Sequence, residues 1–354
     1  VINDYGWSDR LQNEFAPFAE RGFTPARVIM QQRGGYGLVS EDGELLAELS
    51  GRFKREAGPG DYPAAGDWAA ITARPEERAA TIHALLSRTS AFIRKASGPG
   101  GGSQVVAANA DLVLLTASLN ANLNARRLER YLATAWESGA APAVVLTKAD
   151  LCEDVAALVE EVKAIALDVP VHAVSALTGD GMDALAALLV PGQTAVLLGS
   201  SGVGKSTLLN ALAGEMLMDT GEIRERDDRG RHTTTYRELF CLPSGALLLD
   251  TPGMRELGLW EAESGLTAAF ADIEMLAHQC RFTDCRHGNE PGCAVRTALT
   301  AGDLTEERWQ SFQKLRRELA ELEIRKAAAP KILTRKTRLQ RTQQSRARTK
   351  FRPE

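Results

Sequence analysis

The sequence predicts a multidomain α/β protein: a small β-barrel first, a doubly wound domain with a parallel sheet next, and helices around a cysteine cluster last. Three observations carry that prediction. Between residues 24 and 97, short β-prone runs alternate with glycine turns, the spacing of a small barrel. From residue 112 to 199, near-continuous apolar runs alternate with amphipathic stretches, the pattern of strands covered on both faces by their connecting helices. Finally, Cys280, Cys285 and Cys293 fall within fourteen residues, with His287 among them.

The elements follow in order. Residues 1–23 form a helical lead-in with Leu11, Phe15 and Phe18 at helical spacing. Barrel strands are expected at 27–30, 37–40, 45–49 and 67–72, and the glycine run 98–102 reads as a linker. Strands at 112–116, 143–147, 171–175 and 195–199 then alternate with helices near 125–138, 155–167 and 180–189. A helix over 207–213 and a strand over 246–249 complete that domain. Residues 305–325 read as one long amphipathic helix through Trp309, Phe312, Leu315, Leu319 and Leu322. The expected boundaries are a lead-in at 1–23, a barrel at 24–98, a nucleotide domain at 99–262, a helical metal-binding domain at 263–330 and a basic tail at 331–354.

Composition bounds what such a chain does. With 354 residues, 44% hydrophobic and 25% charged, each domain has material for its own core without disulfides. No apolar run approaches the roughly 18 residues of a membrane span, and Val1 to Tyr5 lack the basic and apolar regions of a secretory leader. A cytoplasmic protein without membrane contact is expected, with at least one residue upstream because no initiator Met is present. The net charge of -4 is unevenly spread. Residues 325–354 hold eleven Lys or Arg against one acid, a tail of +10 on a body of -14. A basic arm on an acidic body is a common electrostatic footprint for nucleic acid.

The strongest motif is Gly199-Ser200-Ser201-Gly202-Val203-Gly204-Lys205-Ser206, followed by Thr207, set between an apolar strand and a helix. Glycines let successive backbone N–H groups turn inward around phosphates. Lys205 reaches the β and γ oxygens, and Ser206 offers its hydroxyl to Mg²⁺. Three further stretches stand at the carboxyl ends of expected strands, where open α/β sheets bind ligands. They are Asp250-Thr251-Pro252-Gly253, Thr147-Lys148-Ala149-Asp150 and Ser175-Ala176-Leu177. Asp250 is placed to hold a Mg²⁺ water and Gly253 to offer its N–H to a γ-phosphate. The Asp150 carboxylate can accept from the N1–H and N2–H₂ edge of guanine, which adenine lacks. Lys148 can lay its stem over the base, and the Ala176 N–H can reach the guanine carbonyl.

Their order is unusual, because the base-reading stretches precede the phosphate loop. The chain therefore resembles a circularly permuted GTPase, cut between the Asp250 strand and the strand that would follow it. Between the phosphate loop and Asp250 lies a charged, glycine-rich segment, 219–231, ending in His232-Thr233-Thr234-Thr235. A threonine there, taken as Thr234, can join Mg²⁺ and the γ-phosphate only when that phosphate is present. Position 254 is Met where Ras-like enzymes place a water-orienting Gln, so hydrolysis by the chain alone should be slow. His232 is the nearest group in sequence to orient or deprotonate the attacking water, and Lys205 and Thr234 complete the expected catalytic set.

Cys280, Cys285, His287 and Cys293 supply three thiolates and one imidazole, the complement of a closed, structural Zn²⁺ site. His278 is an alternative ligand.

With these motifs in place, the chain resembles the RsgA/YjeQ family of circularly permuted, small-ribosomal-subunit-dependent GTPases. The resemblance covers nearly the whole chain. It rests on the four stretches above and on Gly66-Asp67-Trp68, Arg94-Lys95, Ala107-Ala108-Asn109, the run from Arg126 to Leu132, Gly230 to Thr235 and Glu290-Pro291-Gly292-Cys293. It implies that the barrel is an OB-fold and that a GTPase domain and a zinc domain act with it in late maturation of the small (30S) subunit. It further implies contact with rRNA, hydrolysis of GTP to GDP stimulated by the subunit and coupled to release, one Zn²⁺, and Mg²⁺ with GTP; a monomer is expected. One departure stands out: the family's base-reading motif usually begins with Asn, and here Thr147 does. Two other functions fit part of the sequence. A non-hydrolysing RNA-binding assembly factor is opposed by Lys205, Ser206, Asp250 and Asp150, and a P-loop ATPase without an RNA partner by Asp150 and the tail.

Overall fold

The computed structural model describes residues 1–32, 34–58, 60–95, 103–120, 123–217, 237–250, 263–322 and 324. Its chain divides into two units. The first is Val1–Gly258 with Ser264–Ala269, and the second is Leu259–Glu263 with Phe270–Glu354.

In the first unit the lead-in helix α1, Asp9–Ala19, starts where the Ser8 side chain accepts the Leu11 N–H. It buries Leu11 and Phe15 in a cluster with Ile2, Trp68 and Leu86. Strands β1 (Thr24–Gln32), β2 (Gly35–Ser40), β3 (Gly43–Leu49), β4 (Trp68–Arg74) and β5 (Ala79–Leu85) follow. They pair in the order β1-β2-β3-β5-β4, and β4 returns to β1. That closure is the five-stranded OB-fold barrel expected. Alternate residues such as Ala26, Val28, Leu38, Ile71 and Ile82 fill it. Strand β5 is not expected from its Ala-rich run Ala79-Ala80-Thr81-Ile82, which has little β signal of its own; pairing with both β3 and β4 decides it. Helix α2, Gly51–Glu56, capped by Ser50, is likewise unexpected.

Strands β6 (Ala91–Lys95) and β7 (Ser103–Ala108) pair antiparallel with each other. They stand on either side of the glycine run that reads as a linker, and that run lies outside the described residues.

The nucleotide domain has β8 (Leu112–Ser118), β9 (Ala141–Thr147), β10 (Val171–Ala173), β11 (Thr194–Gly199), β12 (Arg237–Cys241) and β13 (Leu247–Asp250). Their order is β10-β9-β8-β11-β13-β12. All neighbours are parallel except β12 on β13. Helices α3 (Ala125–Ser138), α4 (Val155–Ala166), α5 (Met182–Ala186) and α6 (Lys205–Ala213) lie between them in sequence. Asn124 and Asp154 cap α3 and α4. Strands β8, β9 and β11 are buried along nearly their whole length, and Leu114, Val145, Leu197 and Leu248 form one core with Leu208 of α6. The phosphate-loop strand β11 is central, between β8 and β13, although β8 precedes it by a long stretch of chain. Strand β12 was not expected; it follows the charged segment directly, and its outer edge pairs with the barrel through Met30–Glu238 and Gln31–Arg237. Barrel and nucleotide domain thus share one sheet of eleven strands. Helix α7, Glu263–Ala269, comes in against α3 at Gly265, where a Cβ would stand 2.1 Å from the Ala133 carbonyl oxygen.

The second unit holds α8 (Ala271–His278), α9 (Ala294–Ala301) and a helix over 306–322, α10. Trp309, Phe312 and Leu315 of α10 are buried, as their spacing predicts. Phe312 packs on Phe270 with ring centroids 5.4 Å apart. Arg308 joins Asp272 through bonds of 2.7 and 2.8 Å while lying over the Phe270 ring. Among the described residues, no helix is long and apolar enough to cross a membrane.

Candidate nucleotide site and metal centre

The loop from β11 to α6 needs glycine at three positions, for two reasons. Gly202 and Gly204 adopt left-handed backbone angles, φ +75° and +94°. A Cβ at Gly199 would stand 2.4 Å from the Thr116 carbonyl oxygen of β8. Gly204 caps α6 without a side-chain hydrogen bond, which leaves the first amides of the helix for an anion. Lys205 folds back over the loop, donating from Nζ to the carbonyls of Gly199 at 2.9 Å and Ser200 at 2.6 Å.

The stretches 147–150 and 175–177 arrive from the ends of β9 and β10 and meet both the loop and each other. Thr147 is buried, and its Oγ1 donates to the Val203 carbonyl at 2.5 Å, with the Ala117 carbonyl at 3.2 Å. Lys148 takes a left-handed conformation, φ +60°, and its Nζ donates to the Gly202 carbonyl at 2.9 Å. Ser175 is fully buried; its Oγ donates to Asp150 Oδ1 at 2.6 Å and accepts the Thr178 N–H at 3.1 Å. The Ala149 N–H closes the pair of loops on the Val174 carbonyl. Thr147 therefore braces the phosphate loop by its hydroxyl. Ser175 fixes the carboxylate of Asp150, a role that its place in the sequence alone does not reveal.

Leu177 is 83% exposed, and Ala176 is half-buried. Ser206 is half-buried at the start of α6, and Thr207 is exposed. Asp250 ends β13 opposite Glu238. Gly253, Met254, His232 and Thr234 lie outside the described residues, as does the basic tail.

In the second unit, Cys280, Cys285, His287 and Cys293 bring their ligand atoms within 4.8 Å of one another. His287 Nδ1 is 3.5 Å from the Sγ atoms of both Cys280 and Cys293, and those sulfurs are 3.9 Å apart. Tetrahedral Zn–S and Zn–N bonds give edges of about 3.6 Å for S···N and about 3.8 Å for S···S, so the set fits such an ion. His278, at the end of α8, is not in the cluster. His287 reaches the cluster from a left-handed backbone, φ +59°, with its ring edge-on to Trp309. Burial, then Arg316, holds its imidazole below the ordinary histidine value against Glu290 and Glu274, favouring the neutral form that a metal takes.

Sheet order, the phosphate loop and the place of the 147–150 and 175–177 stretches ahead of it together define a circularly permuted P-loop GTPase. Comparison with known proteins agrees. The family model described as RsgA GTPase matches residues 85–260, and a model described as 50S ribosome-binding GTPase matches residues 194–332. The small ribosomal subunit biogenesis GTPase RsgA of Opitutus terrae is 47% identical over 330 residues, 90% of each chain. That of Streptomyces coelicolor is 47% identical over 321 residues, 90% of this chain and 86% of its own. Among solved structures, YjeQ from Thermotoga maritima matches with a TM-score of 0.63 at 27% identity, covering 84% of this chain and 99% of its own. YloQ, a circularly permuted GTPase, matches at 0.61 and 25%, covering 84% and 96%. The chain belongs to the RsgA family of GTPases.

Proposed function

We propose that the protein hydrolyses GTP to GDP and phosphate as a late assembly factor of the small (30S) ribosomal subunit, slowly alone and faster on the subunit, with hydrolysis timing release. The observation that carries this reading is the Asp150 carboxylate, held by Ser175 2.6 Å away on loops that also grip the phosphate loop, in a chain whose relatives, matched over most of their length, bear the small ribosomal subunit's name. Asp150 selects guanine, Ala176 offers its N–H to the base carbonyl, and Lys148 and Leu177 flank the ring. The amides from Ser200 to Thr207 and the Lys205 ammonium hold the phosphates. Ser206, Asp250 and Thr234 are the residues that would hold Mg²⁺, whose charge offsets that building on the phosphate oxygens. His232 orients the water, and the Gly253 N–H meets the γ-phosphate. Cys280, Cys285, His287 and Cys293 hold one structural Zn²⁺. The barrel and the tail meet rRNA, and the protein works as a cytoplasmic monomer.

The deciding experiment measures GTP turnover with and without purified small subunits, and competition for the site by GDP and ADP. The reading expects stimulation by the subunit and displacement by GDP alone. Equal rates with and without subunits, or displacement by ADP, would overturn it.

A further inference from the structure

Arg27, on β1, is 2% exposed and, among the described residues, forms no ion pair. Its guanidinium instead spends four hydrogen bonds on four separate parts of the chain. Nε donates to the Gly66 carbonyl before β4 at 3.3 Å, and Nη1 donates to the Tyr5 carbonyl of the lead-in. Nη2 donates to the Asn109 carbonyl before β8 at 3.3 Å and to Thr194 Oγ1, the first residue of β11, at 2.8 Å. The Trp68 indole lies 5.3 Å from the guanidinium carbon. Burial draws the group down to about 10, against the pull of Asp111 and Asp67, so it keeps its charge at neutral pH.

The surroundings are built to this fork. Thr194 is clasped to the start of β8, its N–H on Asp111 Oδ2 at 2.8 Å and its carbonyl on the Asp111 N–H at 2.8 Å. Asn109 Nδ2 donates to the same Gly66 carbonyl that Arg27 uses. The backbones meet closely enough to require glycine: a Cβ at Gly6 would stand 2.4 Å from the Gly192 oxygen, and one at Gly66 2.0 Å from the Ala108 oxygen. A buried cation with rigid, directional donors is satisfied in only one arrangement of its acceptors. Any other orientation of barrel on GTPase leaves it unpaired.

We propose that Arg27 is a positioning residue that makes barrel and GTPase sheet one cooperative body, so that nucleotide held at the far end of β11 stabilises the barrel as well. The proposal rests on the nucleotide reading of the phosphate loop and not on the ribosomal one.

Hydrogen exchange of the full chain, with and without GDP, tests it. At GDP 100 times its Kd, amides that exchange through unfolding of the liganded body slow by about 100-fold. The parent should show that factor in β1, β2 and β4 as in β8 and β11. Arg27→Lys keeps the charge without the fork, and Thr194→Val keeps the buried shape without the acceptor. Each should retain GDP protection in β8 and β11 while the barrel factor falls below about tenfold. If Arg27→Lys fails to fold, Thr194→Val decides alone. A parent barrel indifferent to GDP while β11 is protected would overturn the proposal, as would variants that keep the parental barrel factor. A parent in which GDP protects nothing would instead overturn the nucleotide reading.

Discussion

Thr147→Val separates the brace on the phosphate loop from everything else that residue does. Valine keeps the branched shape in a site that is 4% exposed and removes only the hydroxyl that donates to the Val203 carbonyl. In the free protein that carbonyl can turn toward water. Holding the loop as the structure has it, with Val203 3% exposed, then leaves that carbonyl buried and without its donor. Leaving a buried acceptor unsatisfied costs about 1–3 kcal/mol, which at about 1.4 kcal/mol per decade is a loss of roughly 5- to 150-fold in GDP affinity. Displacement of a fluorescent GDP analogue, together with its dissociation rate, measures this. Thr147→Asn restores a donor and should stay within a few-fold of the parent. If the Val variant held GDP within twofold of the parent with an unchanged dissociation rate, Thr147 would be a strand-end residue and not a brace.

Four other outcomes are expected. Asp150→Asn should lose GDP affinity by about 1.5–3 kcal/mol per bond to the carboxylate and gain xanthosine diphosphate; equal GDP binding would remove Asp150 as the base reader. Metal analysis of protein purified without chelator should find one Zn²⁺ per chain, and Cys285→Ser should unfold the second unit while GDP binding survives; a zinc-free native protein refutes this. Deleting residues 331–354 should flatten the fall of RNA affinity with salt, whereas an unchanged slope would make the tail a solvated end. His232→Ala should keep GTP affinity and lose most of the subunit-stimulated rate; full turnover at saturating subunit would take His232 out of the chemistry.

What could be read in the sequence depended on whether the partners were contiguous. The phosphate loop is an unbroken octamer between a strand and a helix, and the metal cluster is one short segment, so both were legible with their chemistry. The contact between Ser175 and Asp150 was not, because two strand ends known to exist carry no statement of distance. Thr147 looked like a departure from its motif, since the substitution is visible in the sequence and the Val203 carbonyl that answers its hydroxyl is not. Arg27 left no signal at all. Three of its four acceptors are backbone carbonyls, which any residue supplies, and the fourth is Thr194, 167 positions away. Strand β12 escaped notice for a related reason: five residues following a charged segment become a strand only because β13 and β1 offer edges on both sides.

That strand also shows what the permutation does to the sheet. An open sheet has two edges, each a row of unpaired backbone groups. One edge here, β10, is three residues long, short enough to be harmless. The other, β12, is the strand between the charged segment and Asp250, and the barrel covers part of it by laying Met30 and Gln31 along Glu238 and Arg237. The barrel is therefore joined to the GTPase at the start of β12, where the chain emerges from the segment expected to respond to the γ-phosphate. Glu238 pairs with Met30 on one side and with Asp250 on the other. Any shift of β12 relative to β13 must change its register with β1 or carry β1 with it. Cutting the chain between β13 and β8, which stand on either side of β11, lets a domain precede β8 and still reach back to this edge; with that connection uncut, a barrel at the same place would be an insertion between β13 and β8.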